Sequence, residues 1–213
     1  MKKFLFFFLI TAVLVNAQDD KFEKALGKYV KMLDSLYTIS FDDMIKAKNG
    51  VERIAEKETG KWQAQYYAAF FTLMPVFRDT VKSNIDPYLD MVDKYLDKAD
   101  ELSPKNSEVY VLKAFAATGR LMVNPMARWE KYGAIFSRNI ELALEYNPDN
   151  PRAHALRALS VLNMPEAFGG GYEKAKPLMD TASEMFAKFV PAHKLDPDWG
   201  RDMLEEMKNR NKK

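Results

Sequence analysis

The chain has 213 residues, 47% of them hydrophobic and 13% aromatic, and no cysteine. That is enough apolar material for one domain or one continuous solenoid, and it excludes disulfides, thiolate metal ligands and a cysteine nucleophile. Lysine and arginine number 32 against 30 acidic residues, so bulk charge offers a nucleic-acid partner no support.

At the start, Lys2 and Lys3 precede an apolar run from Phe4 to Val15, interrupted only by Thr11, and then Val15-Asn16-Ala17. A basic start, a short apolar stretch and a small-residue exit predict a secretory signal peptide over residues 1–17, cleaved after Ala17. The run is shorter than the roughly 20 residues a membrane-spanning helix needs. Cleavage removes two lysines and no acid, leaving 196 residues with 30 basic and 30 acidic side chains. The expected mature protein is exported, periplasmic or secreted, with no membrane anchor.

Beyond the leader, apolar residues recur three or four apart. Phe22, Leu26, Tyr29, Leu33 and Leu36 mark a first helix, and Ser40-Phe41-Asp42-Asp43 reads as a variant capping box for a second. Asp86-Pro87, Asn124-Pro125, Asn150-Pro151 and Asp196-Pro197 mark further starts, because Asx caps the free N–H groups and Pro suits the first turn. The spacing predicts helices near 19–38, 40–57, 61–80, 84–103, 106–122, 125–146, 151–164, 171–189 and 197–211, with Pro75 kinking or ending the third. No segment carries a strand pattern. The expected organisation is an N-terminal helix pair over 18–58, helical repeats over 59–190, and a closing helix and tail over 191–213, with Trp199 anchoring the last helix.

A repeat runs through this pattern. Ala99 to Asn106 matches Ala143 to Asn150 at a spacing of 44, as Ala-x-x-apolar-x-Pro-x-Asn. Ala55 falls on the same comb, and Tyr66, Tyr110 and His154 form another. These junctions, together with Gly170-Gly171-Tyr172-Glu173-Lys174-Ala175 and Ala182, resemble the tetratricopeptide repeat. The resemblance covers roughly 50 to 190, with a unit of 44 residues where the family uses about 34. It implies an all-α, tetratricopeptide-like α-α superhelix of three to four elongated repeats with a C-terminal capping helix, whose extra length lies inside each pair. The Asn124-Pro125-Met126, Lys131-Tyr132-Gly133 and Pro165 to Gly171 stretches also resemble a group of exported bacterial helical-repeat proteins.

In such a stack the first helix of each pair lines one face. That projection gives a candidate ligand groove of Tyr67, Phe71, Met74, Val111, Phe115, Ala155 and Leu159, suited to an apolar peptide or a hydrophobic small molecule. Packed core is the competing reading of the same stripe. Arg120, Arg128 and Lys131 are candidate contacts for an anion or a peptide carboxylate, against ordinary surface pairing. The glycines at 169–171 precede a helix but lack a phosphate-loop pattern, and read as a turn. His154 and His193 have no ligand-type partner in sequence, and no serine sits in a nucleophile turn.

The expectation is therefore a non-catalytic binding or scaffold protein of the cell envelope, with an envelope protein or peptide as partner and no cofactor, metal or nucleic acid. One alternative is a transport accessory, from a resemblance to the helical-repeat T component of TRAP transporters, holding a small apolar ligand or a solute-binding protein. Another is a hydrolase using paired carboxylates.

Overall fold

A computed structural model of the chain describes residues 19–35, 38–78, 81 and 84–209; the leader predicted over 1–17 lies outside them. Among the described residues all regular structure is helical. Residues 19–30 form α1, continued by a 3₁₀ turn Lys31–Ser35. There follow α2 (Phe41–Lys57), α3 (Trp62–Leu73), α4 (Ile85–Leu102), α5 (Ser107–Val123), α6 (Pro125–Tyr146), α7 (Pro151–Asn163), α8 (Tyr172–Lys188) and α9 (Arg201–Asn209). Packing is closest within α3/α4, α5/α6 and α7/α8, while α3 touches α5 and α5 touches α7. The fold is an all-α helix-pair solenoid, in which α3, α5 and α7 form an inner row.

The comb of 44 residues sets the junctions between pairs. Asn106 and Asn150 cap α5 and α7, their side chains accepting N–H bonds from Glu108 and from Arg152 and Ala153. Each cap satisfies donors that a helix start leaves free. Asn150 also donates to Ser107 Oγ at 2.9 Å, and Ser107 donates to the Ala143 carbonyl at 2.7 Å. Gln65 does the same one junction earlier, donating to the Ala55 carbonyl at 2.9 Å. The alanines of the comb are wholly buried or nearly so, because any larger side chain would push the next pair away.

The ten residues beyond the usual repeat length go to different places. In the second pair α5 and α6 run 17 and 22 residues and share Asn124 as the end of one and cap of the other. In the first pair Pro75 ends α3 at Leu73, and a 3₁₀ turn Met74–Phe77 begins the irregular link to α4, replacing the helix expected to 80. In the third pair the surplus forms the connection Met164–Gly171. Its three glycine N–H groups donate to the carbonyls of Glu166, Pro165 and Val161. They form no phosphate cradle.

At the front of the stack, α1 crosses α2 where Gly50 sits. A Cβ there would lie 1.8 Å from Tyr29 Oη, so only glycine admits the tyrosine ring. That ring also meets Phe71 edge-on at 6.1 Å. The capping box at Ser40 forms as read, with the Asp43 amide N–H donating to Ser40 Oγ at 3.1 Å.

Two helix starts differ from expectation. Asn84 precedes α4 without a side-chain cap bond, and Pro87 stands inside the first turn. Asp196-Pro197 starts no helix: the Asp196 carboxylate accepts from the His193 amide at 2.9 Å, and α9 begins only at Arg201. Residues 189–200 are therefore a non-helical strap, turning at 192–196, between α8 and α9.

Candidate ligand cleft

The strap and the start of α9 lie across the inner row. Trp199 is the anchor: its indole N–H donates to Tyr66 Oη on α3 at 2.7 Å, and only 7% of its surface is exposed. Phe189 covers the Arg152 guanidinium of α7, with 4.3 Å from Cζ to the ring centroid. On the α1 side, Glu23 pairs with Lys194 and accepts from His193 Nε2 at 3.0 Å. The Lys194 hydrogen bond is the main reason the Glu23 carboxyl sits below its ordinary range.

One cleft opens where the strap meets α9, α3 and α5. It holds about 360 Å³, within the roughly 300–1,000 Å³ typical of small-molecule sites. Its wall is an aromatic stack. Phe77 and Phe115 lie 4.6 Å apart at 19°, Phe115 and Trp199 5.7 Å apart at 18°, and Phe70 tilts against Trp199 at 5.4 Å. Met44, Met74, Met203 and Leu33 supply the rest of the apolar lining. The rim is charged, with Arg78 and Arg201 against Asp198 and Asp202. Arg78 donates to the Ile39 carbonyl at 2.8 Å and Arg201 to the Phe186 carbonyl at 2.6 Å, which fixes each guanidinium at the edge. Flat aromatic faces, polarisable thioethers and a rim carrying two arginines suit a planar apolar body with polar groups at one edge.

A second cavity of about 480 Å³ lies on the other flank of the strap, lined by Trp62, Asn147, Lys188, Phe189, Asp196 and neighbours. Arg152 borders it, fully buried and paired with Glu108 through Nε and Nη2, each at 2.6 Å. Its Nη1 has no partner, and the same holds for the buried Tyr67 Oη. Burial and the loss of water push the Tyr67 phenol far above its ordinary range, so it stays a donor.

Of the groove residues projected from the sequence, Met74 and Phe115 line the aromatic cleft. Tyr67, Phe71, Val111 and Ala155 are fully buried in the core beneath the strap and α1, and Leu159 is partly buried against it. The candidate cationic residues stand elsewhere. Arg120 pairs with Asp86, Asp90 and Asp93, Arg128 grips both oxygens of Asp86 at 2.8 Å, and Lys131 is exposed beside the Tyr132 ring. His154 Nε2 lies 2.8 Å from the Pro148 carbonyl, so neither histidine faces the cleft. Among the described residues no cluster of His, Cys, Asp or Glu is arranged to hold a metal ion.

Sequence reasoning did not find Phe77, Arg78, Arg201, Met44 or Met203. One local mark was the Pro75 break, which ends α3 just before Phe77 and Arg78. Trp199 was unreadable as a wall because its partner Tyr66 lies 133 positions away.

No family model matches the chain, and no curated protein matches its sequence. Among solved structures, the chain is similar to the HusA haemophore from Porphyromonas gingivalis, with 34% identity, a TM-score of 0.77, and coverage of 87% of this chain and 90% of that one.

Proposed function

The chain belongs to the HusA haemophore family, and on that premise we propose that it is an exported, non-catalytic carrier of haem or a closely related porphyrin. The observation that carries this reading is the cleft itself: parallel rings of Phe77, Phe115 and Trp199 beside two rim arginines. The residues fit such a cargo. Phe77 and Phe115 would take the macrocycle face, and Arg78 and Arg201 its carboxylate edge. Histidine is not among the lining residues, and the soft donors the lining would offer an iron are the thioethers of Met44, Met74 and Met203.

Three further points support a small cargo. The inner face, where an envelope peptide or a transport-accessory partner would lie, is covered by the chain's own strap. The carboxylates with displaced proton affinity, Glu23, Asp43 and Asp86, are held down by Lys194, Lys46 and Arg128, the reverse of what a general acid needs. The leader predicted over 1–17 agrees with an exported carrier. The narrower assignment to the tetratricopeptide family rests on the two Pro-x-Asn junctions at Pro104 and Pro148.

The test is titration of the mature protein with hemin, followed by the shift of its main visible absorbance band. Wild type is expected to saturate at one porphyrin per chain. Phe115→Leu, which keeps bulk and loses the flat face, is expected to weaken binding about tenfold, equal to about 1.4 kcal/mol. Arg78→Ala with Arg201→Ala is expected to weaken it by a similar factor. An unaltered hemin spectrum with excess protein defeats the proposal, and wild-type affinity in both variants removes it from this cleft.

A further inference from the structure

The aromatic cleft is small for a tetrapyrrole, and the strap is what limits it. Residues 189–197 wall the larger cavity and residues 198–203 wall the aromatic cleft, so one segment divides what is otherwise a continuous face of α3, α5 and α7. The strap's seat is built around a flat ring. The indole of Trp199 lies near-parallel to Phe115, tilts on Phe70, and gives its one N–H to Tyr66. Yet the seat fits the strap poorly at its polar points. Arg152 Nη1 and Tyr67 Oη, both on helices of the inner row, are buried without a partner in the closed form. Lifting the strap would hydrate both donors and so removes a cost of closure. Besides its buried Leu195 and Trp199, the strap is tied by the indole bond, the Glu23 clasp to His193 and Lys194, and the Phe189 ring over Arg152.

We infer that residues 189–200 are a displaceable plug, and that Trp199 occupies the seat which a flat, conjugated ligand takes by replacing the indole on Phe115. The inference rests on the porphyrin reading for the ligand's identity, and not for the movement. It makes Trp199 a selectivity device. A ligand must be flat enough to replace an indole in a stack and broad enough to reach across the face that the strap vacates.

The absence of cysteine permits a direct test. Gly27 faces Leu195 across α1 and the strap, a Cβ added there lying 3.9 Å from Leu195 Cδ2, so Gly27→Cys with Leu195→Cys ties the two, directly on oxidation or, where thiol titration finds both sulfurs free, through a bismaleimide with a disulfide spacer. In the full chain, the oxidised form is expected to take up hemin at least tenfold more slowly than the reduced form, which should match wild type. Equal rates in the oxidised and reduced forms, with normal uptake by wild type, overturn the plug. If wild type takes up no hemin, the porphyrin reading fails, and the same pair is run with anilinonaphthalene sulfonate, an aromatic dye with one sulfonate at its edge. Dye fluorescence that rises on reduction then supports the plug, and fluorescence indifferent to reduction overturns it. Trp199→Ala gives the second arm: a plug predicts faster association, whereas unchanged association with weaker binding would make the indole a fixed wall.

Discussion

Arg152 and Glu108 meet across two helix pairs, 44 residues apart in sequence, through two parallel 2.6 Å bonds with the arginine side chain wholly buried. The pair joins the first turn of α7 to the first turn of α5. Removing one partner strands a charge in the core, and such losses cost about 3–5 kcal/mol. Glu108→Ala is therefore expected to lower unfolding free energy by about that amount in urea titration. Arg152→Met with Glu108→Leu should recover most of it. A single variant as stable as wild type would show that the pair is solvated after all.

Asn150 serves as both cap and rivet, accepting from two amides of α7 while donating to Ser107 and Glu108. Asn150→Ala is expected to cost about 2–3 kcal/mol, the loss of a cap plus a buried bond. Asn124→Ala, an exposed cap with a single 3.3 Å bond to Ala127, should cost about 1 kcal/mol. Equal effects at both positions would remove the distinction between them.

At Gly50 two effects oppose each other. Alanine gains about 1 kcal/mol of helix propensity, but its methyl would enter the Tyr29 ring. Overpacking of that kind costs about 1–3 kcal/mol, so Gly50→Ala should be destabilising on balance. With Tyr29→Ala already present, the same change should become stabilising. Thermal melts of the four proteins read the change of sign.

Arg128 and then Arg120 hold the Asp86 carboxyl below its ordinary value. A carboxyl depressed in the folded state contributes stability that is fully present above its unfolded pKa, about 3.9, and lost as pH falls through the folded value. The stability gap between wild type and Asp86→Asn should therefore be constant from about pH 6 upward and close in the acid limb. Because the side chain is about one-third exposed, the gap should also shrink as salt rises. A gap that persists at pH 2 would assign the effect to packing.

Local chemistry made most of the helices legible and little of the cleft. Asn124-Pro125 and Asn150-Pro151 cap helices because Asx and Pro act on their own turn, whatever surrounds them. Asp196-Pro197 has the same letters but its carboxylate is captured by the His193 amide three residues back, and a dipeptide pattern carries no trace of that competition. The inner-row residues were legible as one stripe because α3, α5 and α7 stack in register. What covers that stripe was not, since Glu23–Lys194 and Tyr66–Trp199 join positions the repeat does not relate.

The Trp199–Tyr66 bond spans 133 residues, whereas the junction bonds at Ser107 and Asn150 span about one repeat. Contacts close in sequence form early, and distant ones wait on slow chain closure. The stack can thus assemble pair by pair as the polypeptide emerges, but the binding face acquires its cover only after the final thirty or so residues have arrived. Until then that greasy surface is bare, and any hydrophobic molecule present competes with the strap for the same place.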